Sequence, residues 1–261
     1  MIYGASTNPC NDIISELRKI KSLGFDYAEI IAEQPRNLSE NLLKKSDAIK
    51  KVLETFPFPK NHIVHAPYWT DLSSLHKDVV EGWMKEIKKI SNFCDVIEID
   101  KINFHARVFG MMLYDHKAKE MTIRKLIENF KKIREISKCK IVLENGCSSK
   151  REICDLNDFK RIVEGADIYV NVDIGHAFVV GGMNEIKKYL LTFQDRIVHM
   201  HIHDNSGKED EHLSIGRGKI DFKKFIELLK EINYQGTMTI ENFKSLEKAQ
   251  KDMKKLKKWL E

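Results

Sequence analysis

Residues 140–203 read KIVLENGCSSKREICDLNDFKRIVEGADIYVNVDIGHAFVVGGMNEIKKYLLTFQDRIVHMHIH. Three short runs in this stretch are apolar almost throughout: KIVLEN (140–145), IYVNVDI (168–174) and RIVHMHIH (196–203). Such runs, rich in Ile, Val and Tyr, are expected of parallel strands covered on both faces. Between them lie segments at about 155–165 and 182–193 whose apolar residues recur at helical spacing. The order is strand, helix, strand, helix, strand, which is the repeat of a parallel α/β fold.

The same alternation extends to both ends of the chain. Five further runs read as strands: IYGAS (2–6), FDYAEIIA (25–32), HIVHAP (62–67), INFHA (102–106) and GTMTIEN (236–242). Helices are expected at 12–23, 39–56, 75–95, 117–137, 221–232 and 246–260. The first has an Asp12 cap, apolar Ile13, Ile14, Leu17 and Ile20, and a Gly24 stop. In the last, Leu246, Ala249, Met253, Leu256 and Leu260 form a stripe that docks on the protein's own barrel. Eight strand–helix pairs predict a single (β/α)8 TIM barrel spanning 1–261. A doubly wound open sheet would need a Gly-rich phosphate turn after the first strand, where Asn8-Pro9-Cys10-Asn11 stands instead.

Composition narrows the class. At 261 residues and 30.4 kDa, the folded chain is expected to expose roughly 12,000 Å², burying enough to need no disulfides. Hydrophobic content of 42% with 32% charged residues excludes a disordered chain and a multispanning membrane protein. The opening MIYGASTNPC lacks a signal-peptide pattern, so a cytoplasmic protein away from membranes is expected. Five cysteines without a C-x-x-C pair point to reduced thiols. The net charge of +5 rests on 35 lysines, and only four glutamines occur. That balance resembles thermophile composition and argues little for nucleic acid. Assembly into a homo-oligomer is compatible with the sequence.

In this barrel, chemistry sits at the C-terminal ends of the strands. Ligand-type residues collect there: His65, His105, Glu144, Asp173 with His176, His201 and Glu241 close the third to eighth strands, and the loop after the seventh adds Asp210 and His212. Alone, each has a bland explanation. Together, the buried carboxylates would repel and take up protons unless a cation sat among them. Imidazole and carboxylate donors without thiolate point to Mn²⁺, Co²⁺, Zn²⁺ or Fe²⁺. His62, His76, His116 and His199 read as structural or solvated, and His203 and Asp204 as residues that orient a ligand histidine. Cys147 and Cys154 follow Glu144, but no His/Asn arrangement marks either as a nucleophile. In IGRGKI (215–220), Arg217 or Lys219 is placed to meet an anionic or hydroxylated ligand, or the segment is a plain turn.

In order, the motifs VHAPY around His65, FH at His105, LEN at Glu144, VDIGHA at Asp173 and His176, HIHDN at His201, DEHLSIGRG at Asp210 and His212, and TIEN at Glu241 span nearly the whole chain. This pattern resembles the xylose isomerase-like barrel superfamily, which holds sugar isomerases, ketose 3-epimerases, inosose dehydratases and endonuclease IV. The resemblance to ketose 3-epimerases of the D-tagatose 3-epimerase type implies one metal, Mn²⁺ or Co²⁺, held by Glu144, Asp173, His201 and Glu241. It also implies a small sugar substrate, with Glu144 and Glu241 exchanging a proton at a carbon next to a carbonyl and His176 binding nearby. Two positions depart from those epimerases: Lys150, where they carry an acid, and Gly207, where they carry an Arg. The segment LGFDYAEI resembles a second strand of sugar isomerases and implies that Glu29 points to the mouth for substrate contact.

The resemblance to endonuclease IV implies instead three zinc ions on nine residues, namely His65, His105, Glu144, Asp173, His176, His201, Asp210, His212 and Glu241, acting on abasic-site DNA. Its DNA-facing motifs are altered: Tyr68 is followed by Trp69-Thr70-Asp71, and His105 by Ala106-Arg107. Phosphate contacts would need rim cations, and Arg36, Arg107 and Arg217 are the arginines placed there. The sugar reading is preferred, with the nuclease second and a non-catalytic metal-binding barrel third.

Overall fold

Each apolar run becomes a strand in the computed structural model, which describes residues 1–108, 115–147 and 151–260. The strands are β1 (Ile2–Ser6), β2 (Tyr27–Ile31), β3 (Ile63–His65), β4 (Lys101–His105), β5 (Lys140–Glu144), β6 (Tyr169–Asp173), β7 (Ile197–Ile202) and β8 (Thr237–Ile240). Each pairs in parallel with the next and β8 returns to β1, closing the barrel. The helices are α1 (Ile13–Ser22), α2 (Ser39–Lys44), α3 (Ser46–Leu53), α4 (Lys77–Ile97), α5 (His116–Ile136), α6 (Leu156–Ala166), α7 (Ile174–Phe193), α8 (Phe222–Glu231) and α9 (Leu246–Leu260). The TIM barrel expected from the sequence is the fold. Lys150 lies outside the described residues.

Two helices differ from expectation. The segment 39–56 divides at Lys45, whose φ of −103° and ψ of 6° end α2. The break re-aims the chain, so α2, with Leu42 buried, packs on α4, while α3, with Ile49, Val52 and Leu53 buried, packs against α1 and α4. α7 begins earlier than expected, directly after β6. Gly181 and Gly182 interrupt it; Gly182, at φ 65° and ψ −157°, occupies a region open essentially only to glycine. The double glycine is therefore a backbone turn.

Side chains alternate across each strand with a period of two. One face points out under the helices and is apolar: Ile30, Val64, Ile102, Phe104, Leu143, Val172, Met200 and Ile240 are all buried. They meet helix residues such as Leu17, Ile20, Phe130, Phe159 and Phe225 in one continuous core. The inner face is far more polar. From register, β4 places Asn103 and His105 beside Val142 and Glu144 of β5, and β6 places Asn171 and Asp173 beside His199 and His201 of β7. Toward the other end, the Tyr27 ring lies against Gly4, and its hydroxyl meets Thr239 Oγ1 at 2.9 Å. The accessible surface of 12,177 Å² matches that expected of a chain this long. Among the described residues, no helix is long and apolar enough to cross a membrane.

A Cβ at Gly4 would lie 2.4–2.7 Å from three atoms of the Tyr27 ring. Gly4→Ala is therefore expected to destabilise the barrel by about 1–3 kcal/mol through overpacking. Thermal denaturation checks this, and an unchanged melting temperature would show that the ring has room to move.

Candidate metal centre and active site

The sequence-derived ligands meet at one end of the barrel. Glu144, at the end of β5, is buried and central: its Oε2 lies 3.6 Å from His65 Nε2, 3.6 Å from His105 Nε2 and 3.3 Å from His201 Nδ1. Its Oε1 lies 3.3 Å from His176 Nδ1. From the layer beneath, the amides of Asn103 and Asn171 donate to Oε2 at 2.6 and 3.1 Å. Glu241 approaches from β8, with Oε1 3.4 Å from His201 Nδ1 and Oε2 3.2 Å from His212 Nε2.

Local structure explains the Asp173/His176 pair. Asp173 ends β6 and caps α7, its Oδ1 accepting the His176 backbone N–H at 2.7 Å. Capping consumes one oxygen and leaves Oδ2 facing His201 Nδ1 at 3.7 Å. Gly175 sits between them because a Cβ there would lie 1.9 Å from His203 Cε1. The His203 ring thus packs directly on the first turn of α7, with Nε2 3.2 Å from Asp173 Oδ1. Asp210 and His212 close this side: His176 Nε2 lies 3.1 Å from Asp210 Oδ2, and the His203 and His212 rings stack at 4.0 Å.

The ligand-type imidazoles at the ends of β3 and β4 and in the first turn of α7 are anchored through Nδ1. His65 donates to Ala66 O at 2.7 Å, His176 to Asn145 O at 2.8 Å, and His105 to Glu152 Oε1 at 3.1 Å. Anchoring Nδ1 aims Nε2 of His65 and His105 at Glu144 and Nε2 of His176 at Asp210, which is how proteins orient metal-ligating histidines. Two buried atoms facing this centre, His201 Nδ1 and Asp173 Oδ2, have no hydrogen-bond partner, and neither does Asp210 Oδ1. Buried polar atoms are ordinarily satisfied. Orphans that converge with further carboxylate and imidazole donors fit a divalent cation. The groups His65/His105/Glu144, Asp173/His176/His203 and His203/His212/Glu241 each bring their donor atoms within 4.8 Å of one another.

Charge behaves accordingly. Burial alone would raise the Glu144 carboxyl, but the charges of His105 and His201 hold it well below its usual range. Asp173 is likewise held down, against burial, by His176 and His203. Conversely, burial would lower His176 and His201, yet Asp173 raises the first, and Glu144, Glu241 and Glu29 raise the second, well above the ordinary imidazole value. In the metal-free protein, protons do the work of a cation.

Several positions differ from the sequence reading. Glu29 points into the barrel but not to its mouth: fully buried, it is 3.1 and 3.2 Å from His201 Nε2 and 3.2 Å from His199 Nε2. It lines no part of the cavity. Arg217 is exposed on a turn whose Gly216, Gly218 and Ile220 N–H groups bind the Asp204 carboxylate, so the plain turn holds and Arg217 stands apart from the cavity. Asp204 braces that turn with its carboxylate, and its backbone oxygen lies 3.5 Å from His203 Nδ1. His199 is structural but not solvated; His76 and His116 lie on the outside.

Two residues were not anticipated as site members. Cys147 lies with His176 and Asp210 in a further group whose donor atoms come within 4.8 Å of one another, so a thiol borders the centre. Its only sequence signal is its position three residues after Glu144. Buried Glu152 holds His105 and also Arg107, at 3.3 Å; burial would raise its carboxyl, but the His105 hydrogen bond and nearby charges lower it to about 2. Arg107 is itself buried, with its guanidinium 3.5 Å over the Tyr68 ring, which removes it from the rim.

Above the ligands opens a cavity of about 580 Å³. His65, His105, Glu144, His176, Asp210, His212 and Glu241 line it, with Tyr68 and Phe243 among its wall residues and the loops after β1 and β8 at its side.

Residues 17–260 match the family model described as the xylose isomerase-like TIM barrel, and the chain belongs to that family. It is similar to a crystal structure of a D-tagatose 3-epimerase-like protein, with a TM-score of 0.86 and 27% identity, covering 100% of this chain and 97% of that one. An uncharacterized protein of Methanocaldococcus jannaschii is 29% identical over 261 residues, 95% of this chain and 85% of its own length. A probable endonuclease 4 of Aquifex aeolicus is 24% identical over 247 residues, 88% of this chain and 87% of its own.

The pKa directions set a pH window. The lowered carboxylates, Glu29, Glu144 and Asp173, contribute stability that is full above about pH 4 and lost as pH falls through their folded values. The raised imidazoles, His176 and His201, contribute below about pH 6.5 and lose it as pH rises through theirs. The metal-free site therefore stabilises the fold most between about pH 4 and 6.5. Melting temperatures measured across pH should fall on both sides of that window. Mn²⁺, Co²⁺ or Zn²⁺ at about 100 times its Kd should add about 2.7 kcal/mol and release protons that calorimetry in two buffers detects. A flat pH response with no uptake of any ion would count against the site.

Proposed function

We propose that the protein is a divalent-metal-dependent sugar epimerase or isomerase of the ketose 3-epimerase kind. The observation that carries this reading is the pair of carboxylates Glu144 and Glu241. They arise from β5 and β8, line the same cavity, and approach His201 Nδ1 at 3.3 and 3.4 Å. Together with Asp173 and His201 they form a four-donor set suited to Mn²⁺ or Co²⁺.

An ion held there supplies positive charge that polarises the oxygens beside the reacting carbon. The chain's own residues do the rest. A carboxylate on either side of a bound sugar carbon removes a proton from one face and returns it to the other. Glu144 is suited to the ionised role, since His105 and His201 keep it deprotonated despite burial. His176, with Nδ1 pinned on Asn145 O, presents Nε2 toward the Asp210 side, where it can meet a substrate hydroxyl. The aromatic faces of Tyr68 and Phe243 offer apolar contact for a sugar ring, and the cavity is large enough for a small carbohydrate.

One observation favours a second reading, an endonuclease IV-like nuclease. All nine corresponding residues surround the cavity end of the barrel, and His65 and His105 converge on Glu144 Oε2 as a further donor group. Against it, Arg107 is buried under Tyr68 and Lys19 at the cavity edge is paired with Glu247 at 2.9 Å, so two of the cations near the cavity are engaged within the protein.

Protein loaded with Mn²⁺ or Co²⁺ and incubated with a panel of free ketoses should convert at least one, as read by chromatography. Glu241→Gln should lower kcat by about 10²–10⁴-fold, the usual contribution of a positioned acid–base group. Incision of a duplex carrying one abasic analogue, lost in His65→Ala and Asp210→Ala, together with three zinc ions per chain, would replace the sugar reading with the nuclease. Metal binding with neither activity would leave a non-catalytic barrel.

A further inference from the structure

Beneath the cavity lies a layer of polar groups that contacts no part of it. Glu29 of β2 and His199 of β7 are both fully buried there. The Glu29 carboxylate spans two imidazoles, reaching His201 Nε2 at 3.1 and 3.2 Å and His199 Nε2 at 3.2 Å. His199 is held from its far side by Thr237 Oγ1, 2.9 Å from Nδ1. A buried carboxylate is costly unless hydrogen-bonded, so this arrangement has a purpose or a penalty.

The chemistry of the contact fixes where a proton sits. An ionised carboxylate has only acceptor sites, so the His201 nitrogen facing Glu29 must be the one that carries hydrogen. The other nitrogen, Nδ1, is then bare when the ring is neutral. That nitrogen is buried, lacks a hydrogen-bond partner, and lies 3.3 Å from Glu144, 3.4 Å from Glu241 and 3.7 Å from Asp173. His65, His105 and His176 are anchored through Nδ1; His201 is anchored through Nε2. We propose that Glu29, itself held by His199, is a positioning residue that fixes the tautomer and orientation of His201 and thereby sets the affinity of the four-donor site for its divalent ion. The inference rests on the metal reading of that site, and it is independent of which substrate the site takes.

Glu29→Gln is the informative substitution because it keeps shape and changes only donor and acceptor. With the amide oxygen turned to His199, the amide N–H faces His201 Nε2 and favours hydrogen on Nδ1, the metal-facing nitrogen. Loss of such an outer partner typically weakens metal binding about 10–100-fold. Titration of the full chain with Zn²⁺ against a competing chelator should show a weakening of that size. The metal-free Glu29→Gln protein should keep the far-UV circular dichroism of the parent. Long-range ¹H–¹⁵N spectra of zinc-loaded parent protein labelled at histidine, with the His201 signals assigned by their loss in His201→Gln, should show hydrogen on Nε2 and none on Nδ1. This spectrum tests the proposal even if Glu29→Gln fails to fold. A Zn²⁺ affinity within threefold of the parent in Glu29→Gln, or His201 bound through Nε2, overturns the inference while leaving the metal site intact. A parent that takes up no Zn²⁺, Mn²⁺ or Co²⁺ overturns the metal reading and this inference with it.

Discussion

Carboxylates buried beside imidazoles inside a closed barrel are the constraint around which this structure is arranged. Glu29, Glu144, Asp173 and Glu241 are nearly inaccessible to water, and burying charge is costly unless it is compensated. The compensation is local. Asn103 and Asn171 donate to Glu144 from below, the α7 backbone donates to Asp173, and His199 and His201 share Glu29. What these contacts leave over, His201 Nδ1 and Asp173 Oδ2 without partners beside further carboxylates and imidazoles, is a donor set that fits a divalent cation.

The barrel makes this tolerable because its two faces are chemically separate. Outward residues of every strand are apolar and packed under helices, so stability comes from a ring of hydrophobic contacts that does not involve the interior. The interior is then free to carry polar layers. Glycine enters where backbone or ring must come close: Gly4 admits the Tyr27 ring, and Gly175 admits His203 against the start of α7. Both are places where a single methyl group would shift a neighbour that the site or the barrel floor relies on.

Membership of the xylose isomerase-like family fixes the barrel, and a barrel of this kind hosts many chemistries. Function is then argued from the residues around the donors, which here include Cys147 beside His176 and Asp210, Glu152 behind His105, and Arg107 folded under Tyr68.

Strand and helix positions were legible in the amino-acid order because apolar runs and helical spacing are local properties. The boundaries of β1, β5 and α9 follow directly from IYGAS, KIVLE and the Leu246–Leu260 stripe. The ligand residues were legible for the same reason: a parallel barrel sends every strand end to one mouth, so His65, Glu144 or Glu241 needs only its place at the end of a run. Depth was not legible. Glu29 and Glu144 both occupy inward positions, and only the stagger between strands, with Ile31 and not Glu29 level with His65, sets one beneath the cavity and the other in it. The period-two spacing of His199, His201 and His203 signals a shared inward face, yet which nitrogen each ring presents depends on partners 30 to 172 residues away, supplied by other strands. Hydrogen-bond partnership across a closed barrel is a property of three-dimensional neighbours, and tertiary structure alone decides it.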